Sequence, residues 1–232
     1  AIGGTIELVN NGQMNFLTVL AILVIIIVTV GSIIYVELGE RRVPVSYSRK
    51  VMIENQKKRV MNYIPIKVNL SGVIPAIFAS AILMFPSTVL QGSQNKYLMM
   101  IADYLNPSSY TFNLFMFLFV LFFAFFYASI TFNAKDISEN LKKQGGFIPG
   151  VRPGASTAEF LNEVAGRLTF WGAIYMGLIS TLPWLIVKAM GVPFYFGGVA
   201  VLIVVQVAID TMRKIEAQQY MNKYQTLSAV GL

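Results

Sequence analysis

The chain alternates long apolar runs with polar stretches, and five of the runs have the length a bilayer demands. A helix needs about 20 predominantly apolar residues to cross the hydrocarbon core. Phe16–Val36, Ser71–Leu90, Tyr110–Phe132 and Leu168–Val187 carry no charge, and Phe194–Met212 carries only Asp210, close to its end. These segments predict five transmembrane helices in an all-α, polytopic membrane protein. The prolines and glycines within them predict local kinks, because in lipid a helix is the only open structure that satisfies its own backbone. The first run is too long for a signal peptide core and has no cleavage pattern after it, so it is expected to be retained. Small residues recur every four positions at Gly72, Ala76 and Ser80 and again at Ala173, Gly177 and Thr181. Such stripes let helices approach closely, which predicts a bundle.

The polar stretches divide the chain into an external segment 1–15, loops 37–70 and 133–167, and a tail 213–232. Sixteen of the 18 Lys and Arg residues lie in the two loops and the tail; only Lys96 and Lys188 lie on the opposite side. By the positive-inside rule this asymmetry predicts an N-terminus outside and loops and tail in the cytoplasm. Within loop 37–70 the alternation in RRVPVSYSRK fits a hairpin. Its basic residues serve orientation alone or dock a partner, and its length favours docking. Loop 133–167 opens with a predicted helix, Asp136–Gln144, stopped by Gly145-Gly146. FIPGVRPG then holds Arg152 out between two Pro/Gly turns, either as a presented contact or simply solvated. Ser156 and Glu159 have capping-box spacing for the helix that follows.

Composition agrees with a bilayer: apolar residues make up 56% and charged residues 12%, against roughly 25% charged in soluble domains. The absence of cysteine and histidine excludes disulfides, thiol nucleophiles and the commonest general base and metal ligands. No span carries an ionisable residue near its centre, which argues against an ion-coupled pump. No phosphate-binding or dinucleotide fingerprint is present, so no enzyme activity and no cofactor are expected. The net charge of +7 favours anionic partners.

Four segments carry a more specific signal: ELGERRVPVSYSRK, IPIKVNLSGVIPAIFASAILMFP, NLKKQGGFIPGVRPG and VPFYFGG. They closely resemble, in order and spacing, the second half of the SecY family of protein-conducting channels. The resemblance implies spans six to ten of a ten-helix channel whose two halves clasp an hourglass pore in the bacterial plasma membrane. It implies passage of unfolded secretory proteins and lateral release of membrane segments into lipid, driven by a partner ATPase or the ribosome. The expected partners are the N-terminal half of the channel, the SecE and SecG subunits, the SecA motor, the ribosome, signal sequences and preproteins, and membrane lipid. SecE is expected against the first and last spans.

Carried over residue by residue, the resemblance makes the second span a gate helix, with Ser71, Ser80 and Phe85 tuning its closure. Ile77 and Ile203 match the pore ring, where branched apolar side chains exclude water and ions yet spread around a polypeptide. Arg49, Lys67 and Arg152 match basic positions that dock the motor or ribosome. Lys57-Lys58-Arg59 departs from the family, sitting a few residues after the usual paired arginines, where Glu54 and Asn55 stand instead. Two other readings fit the spans without these motifs: half of a secondary transporter with inverted repeats, and a membrane adapter that only recruits a ribosome or motor.

Overall fold

The computed structural model describes residues 16–47, 62–92, 95–190 and 198–229. The chain divides into two compact units, one formed by residues 1–35 and 182–232 and the other by residues 36–181. Helix α1, Phe16–Leu38, is the first element among the described residues and passes from the first unit into the second. The first unit also holds α7, Gly198–Ala229, which continues without a break past the expected span into the tail. Its buried side chains Leu202, Val205 and Ile209 recur at helical spacing along one face.

The second unit begins with a small sheet. Strand β1, Glu40–Tyr47, pairs antiparallel with β2, Asn62–Lys67, in a register running from Glu40 opposite Lys67 to Val45 opposite Asn62. The expected hairpin is therefore present; the segment joining its strands, with Arg49 and the cluster Lys57-Lys58-Arg59, lies outside the described residues. A short β3, Gly146–Phe147, pairs with Ser46 and Tyr47 on the other edge of β1, giving the order β2-β1-β3. Pro44 has no donor to give, and β3 leaves it unpaired on that side. Alternation sends Val43, Val45 and Ile66 inward while Arg42 and Pro44 stay exposed.

What covers the sheet comes from the other loop. Helix α5, Ala134–Lys143, starts two residues before its predicted position, because the Asn133 side chain accepts from the amides of Lys135 and Asp136. Asp136 in its first turn and Lys142 and Lys143 in its last suit the helix dipole. Leu141 from α5, Ile148 from the turn after β3 and Leu161 from the next helix close over Val43, Val45 and Ile66 as one core. The two polar loops thus form a single α/β module, where the sequence suggests two separate loops.

Helix α6, Ala155–Met190, runs 36 residues, about 54 Å at 1.5 Å per residue. It begins 13 residues before the expected span and carries it without interruption. The capping box does not form. Gly154, at φ +108°, offers the carbonyl that receives the amides of Thr157 and Ala158, so Ser156 falls inside the first turn. Buried Thr157 instead donates its hydroxyl to the Arg152 carbonyl at 2.9 Å.

Three apolar helices complete this unit: α2, Ile74–Gln91; α3, Lys96–Tyr104; and α4, Tyr110–Thr131, capped by the Ser109 hydroxyl. Among the described residues, Leu20–Leu38, Tyr110–Lys143 and Ala155–Ile186 are long and apolar enough to cross a membrane, and Ile74–Leu90 is a shorter apolar helix. Helix α2 spans 18 residues, about 27 Å, close to the roughly 30 Å of a hydrocarbon core.

Candidate functional site

The site is built on α2 and on its attachment at the base. Pro75 at the start of α2 fits a position whose amide has no helical partner. The helix buries Ala76, Ala79 and Leu83 along one side and packs against α4. This face is rotated from the stripe expected at Gly72, Ala76 and Ser80: Gly72 precedes the helix at φ +62°, and Ser80 is only half-buried. On α6 the expected stripe is buried throughout, and Gly177 lies against Phe117 of α4. A β-carbon at 177 would sit 2.6 Å from that ring, so the glycine permits the approach.

Of the three gate residues, Ser80 and Phe85 lie on α2, whereas Ser71, expected on the same helix, lies three residues before its start. Ser71 is buried and donates its hydroxyl to the Ala124 carbonyl of α4 at 3.3 Å, which fastens the entry of α2 to its neighbour. Ser80 donates to the Ile77 carbonyl within its own helix at 2.8 Å. Ile77 is 39% exposed and Phe85 73% exposed, on the part of α2 that α4 does not cover. Phe78 beside Ile77 packs against Phe123 of α4, with ring centroids 6.0 Å apart. Ile203 belongs to the first unit, half-buried on α7.

Below α2 lies a polar junction that the motifs did not announce. Glu37, at the end of α1, and Asn69, just after β2, are both buried. The Asn69 amide donates to the Glu37 carboxylate at 2.5 Å and to the Gly72 carbonyl at 3.2 Å. A carboxylate away from water needs such donors, since an unsatisfied charge there is costly. The Val68 carbonyl just before Asn69 abuts Gly172 of α6 closely enough that a β-carbon at 172 would lie 2.9 Å from it. The available signal was a polar Asn69 between Val68 and Leu70, leading directly into an apolar run.

Two of the basic candidates, Lys67 and Arg152, belong to the α/β module, and Arg49 lies outside the described residues. Lys67 is exposed at the end of β2, opposite Glu40. Arg152 is exposed in the turn held by buried Ile148 on one side and by the Thr157 and Ser138 hydroxyls on the other; Ser138 donates to the Gly154 carbonyl at 2.6 Å. The structural role of Arg152 falls to its carbonyl and leaves the guanidinium outward. Arg42 adds to this exposed charge. Its Nε donates to Glu40 at 2.8 Å, and this bond, with the Tyr63 ring 4.8 Å away, holds the guanidinium further above its already high ordinary value. Among the described residues, no cluster of acidic residues suited to a metal ion occurs.

The family model for SecY matches residues 1–212. A protein translocase subunit SecY from Helicobacter pylori is 64% identical over 232 residues, all of this chain and 55% of the relative. The subunit of the same name from Escherichia coli strain K12 is 38% identical over 230 residues, 97% of this chain and 52% of the relative. The chain thus spans about half the length of these curated relatives. Among solved structures, one concerns a SecY plug domain that stabilizes the closed state of the translocation channel. It superposes with a TM-score of 0.64 at 18% identity, covering 92% of this chain and 53% of that one. Another, a protein conducting channel, gives a TM-score of 0.61 at 17% identity and covers 83% of this chain and 48% of that one.

Proposed function

This chain belongs to the SecY family, and we propose that it forms the second half of a protein-conducting channel, spans six to ten, in the bacterial plasma membrane. In this reading the N-terminus lies outside, and the α/β module and tail lie in the cytoplasm. The observation that carries it is the asymmetry of α2, which is fastened to α4 along Ala76, Ala79 and Leu83 and open along Ile77 and Phe85. A helix with one side left free can swing that side against the other half of the channel, opening a path between pore and lipid.

The free side is apolar, so the closed gate excludes ions without charge. Ile77 here and Ile203 on α7 supply branched side chains to a ring that disfavours water yet yields to a threading chain, because it makes no sequence-specific hydrogen bond. Ser71 and the Glu37–Asn69 junction hold the base of α2, and Phe85 lies at the outer end of its free side. The chain performs no chemistry in this scheme. A motor or a ribosome docked on the α/β module and on the segment joining its strands, through Lys67, Arg152 and Arg49, supplies directed force. Phosphates and carboxylates are both suited to receive these side chains. SecE and SecG complete the assembly.

The test is site-specific photocrosslinking from position 77 in the complete channel, loaded with a stalled secretory chain. Adducts between position 77 and the stalled chain are expected, with none when the signal sequence is deleted. A stalled chain that crosslinks elsewhere in the protein but never at 77 would refute the pore assignment.

A further inference from the structure

Helix α3, Lys96–Tyr104, is nine residues long and enters none of the roles above. Asn95 caps it, its side chain accepting from the Tyr97 amide at 3.1 Å, so it is a formed helix with a defined start. It has two apolar faces. Leu98, Ala102 and Leu105 turn inward, with Ala102 buried, where α3 packs against α2 and α4. Tyr97, Met100, Ile101 and Tyr104, at spacings of 3, 4 and 7, form a second stripe between 48% and 77% exposed. Between Lys67 and Lys135 only Lys96 and Asp103 are charged.

Water is a poor solvent for such a stripe, and a contiguous exposed apolar surface marks a place that something else covers. Its surroundings say what covers it. Helix α3 is tied by short links to the end of α2 and the start of α4, so it lies at the level where those apolar helices finish. Exposed Val89 at the end of α2 and exposed Tyr110 and Leu114 at the start of α4 continue the apolar surface on either side. Tyrosines bound the stripe at Tyr97 and Tyr104, as expected for rings whose hydroxyls reach headgroups while their faces rest on acyl chains.

We infer that α3 is an interfacial helix, lying in the plane of the membrane with Tyr97, Met100, Ile101 and Tyr104 immersed at the headgroup boundary of the leaflet opposite the α/β module. It rests on the membrane placement proposed above, though not on channel activity. By its packing it joins the outer end of α2 to that membrane surface.

Because this chain has no cysteine, single labels report unambiguously. Met100→Cys and Tyr97→Cys, each carrying a nitroxide, are placed in the full protein with no other cysteine and reconstituted in bilayers of phosphatidylethanolamine and phosphatidylglycerol. Collisions with oxygen and with a water-soluble nickel chelate are then measured, with Phe122→Cys on α4 and Glu139→Cys on α5 as references. The expected result is an oxygen-to-nickel ratio severalfold above that at 139, at a depth shallower than 122. A ratio at 97 and 100 equal to that at 139 overturns the proposal in favour of a water-exposed helix. Shielding from both reagents overturns it in favour of a protein partner. If 122 itself reads as water-exposed, the membrane placement of α4 fails and the proposal falls with it.

Discussion

Gly172→Ala isolates the contact that seats the base of the gate helix. The substitution adds one methyl group to α6 and draws two opposed consequences. Alanine is favoured over glycine inside a helix by about 0.8–1 kcal/mol. Against this, the new β-carbon would lie 2.9 Å from the Val68 carbonyl oxygen, where ordinary contact begins near 3.4 Å, and the obstacle is backbone with no rotamer to turn away. Overpacking of this kind costs about 1–3 kcal/mol, so the net effect is a destabilisation of about 0–2 kcal/mol. Gly166, six residues earlier on the same helix, provides the control, because a β-carbon there meets nothing within 4 Å. Gly166→Ala keeps the propensity gain alone and should stabilise by up to about 1 kcal/mol. The two variants should therefore differ by about 1–3 kcal/mol in equilibrium unfolding followed by circular dichroism in mixed micelles, at fixed lipid and detergent. Equal shifts for the two would refute the claim that the Val68 carbonyl packs tightly on Gly172.

Two further outcomes follow from the same geometry. Asn69→Ala removes one donor from the buried Glu37 carboxylate and should cost about 1.5–3 kcal/mol, the range for hydrogen bonds to charged groups; the same unfolding measurement checks it, and a cost below about 0.5 kcal/mol would mean that the junction holds nothing. Arg152→Glu should sharply reduce motor-driven transport into vesicles while unfolding shifts by less than about 0.5 kcal/mol, since the turn is held through the Arg152 carbonyl; normal transport at normal expression would remove Arg152 from the docking face.

Much of the architecture was legible because a bilayer imposes a length on apolar sequence. The run expected at Tyr110–Phe132 reappears as α4 at Tyr110–Thr131, and the hairpin around RRVPVSYSRK as β1 and β2. Helix ends were less legible where a polar helix flows into an apolar one. Leu168 marks the start of an uncharged run but not of α6, which begins at Ala155 because Gly154 supplies the first accepting carbonyl. The capping-box spacing at Ser156 misled for the same reason: it records residue types three apart, not which carbonyl the turn has already presented. At the gate, the motif placed Ile77 and Ser71 on one element but could not say that Ser71 reaches across to the Ala124 carbonyl.

Charge counts and hydropathy determine by themselves that this is a helical membrane protein, since those properties depend only on how side chains partition between lipid and water; the channel family was legible only through the resemblance of its motifs. Tertiary structure alone decided that the two polar loops share one core, that β3 joins the β1 edge, and that Glu37 meets Asn69 across 32 residues of chain. Each of these pairs groups distant in sequence. Partitioning energies are additive along the chain and can be read from it; contacts between distant segments depend on how the backbone returns, and only the folded chain fixes that.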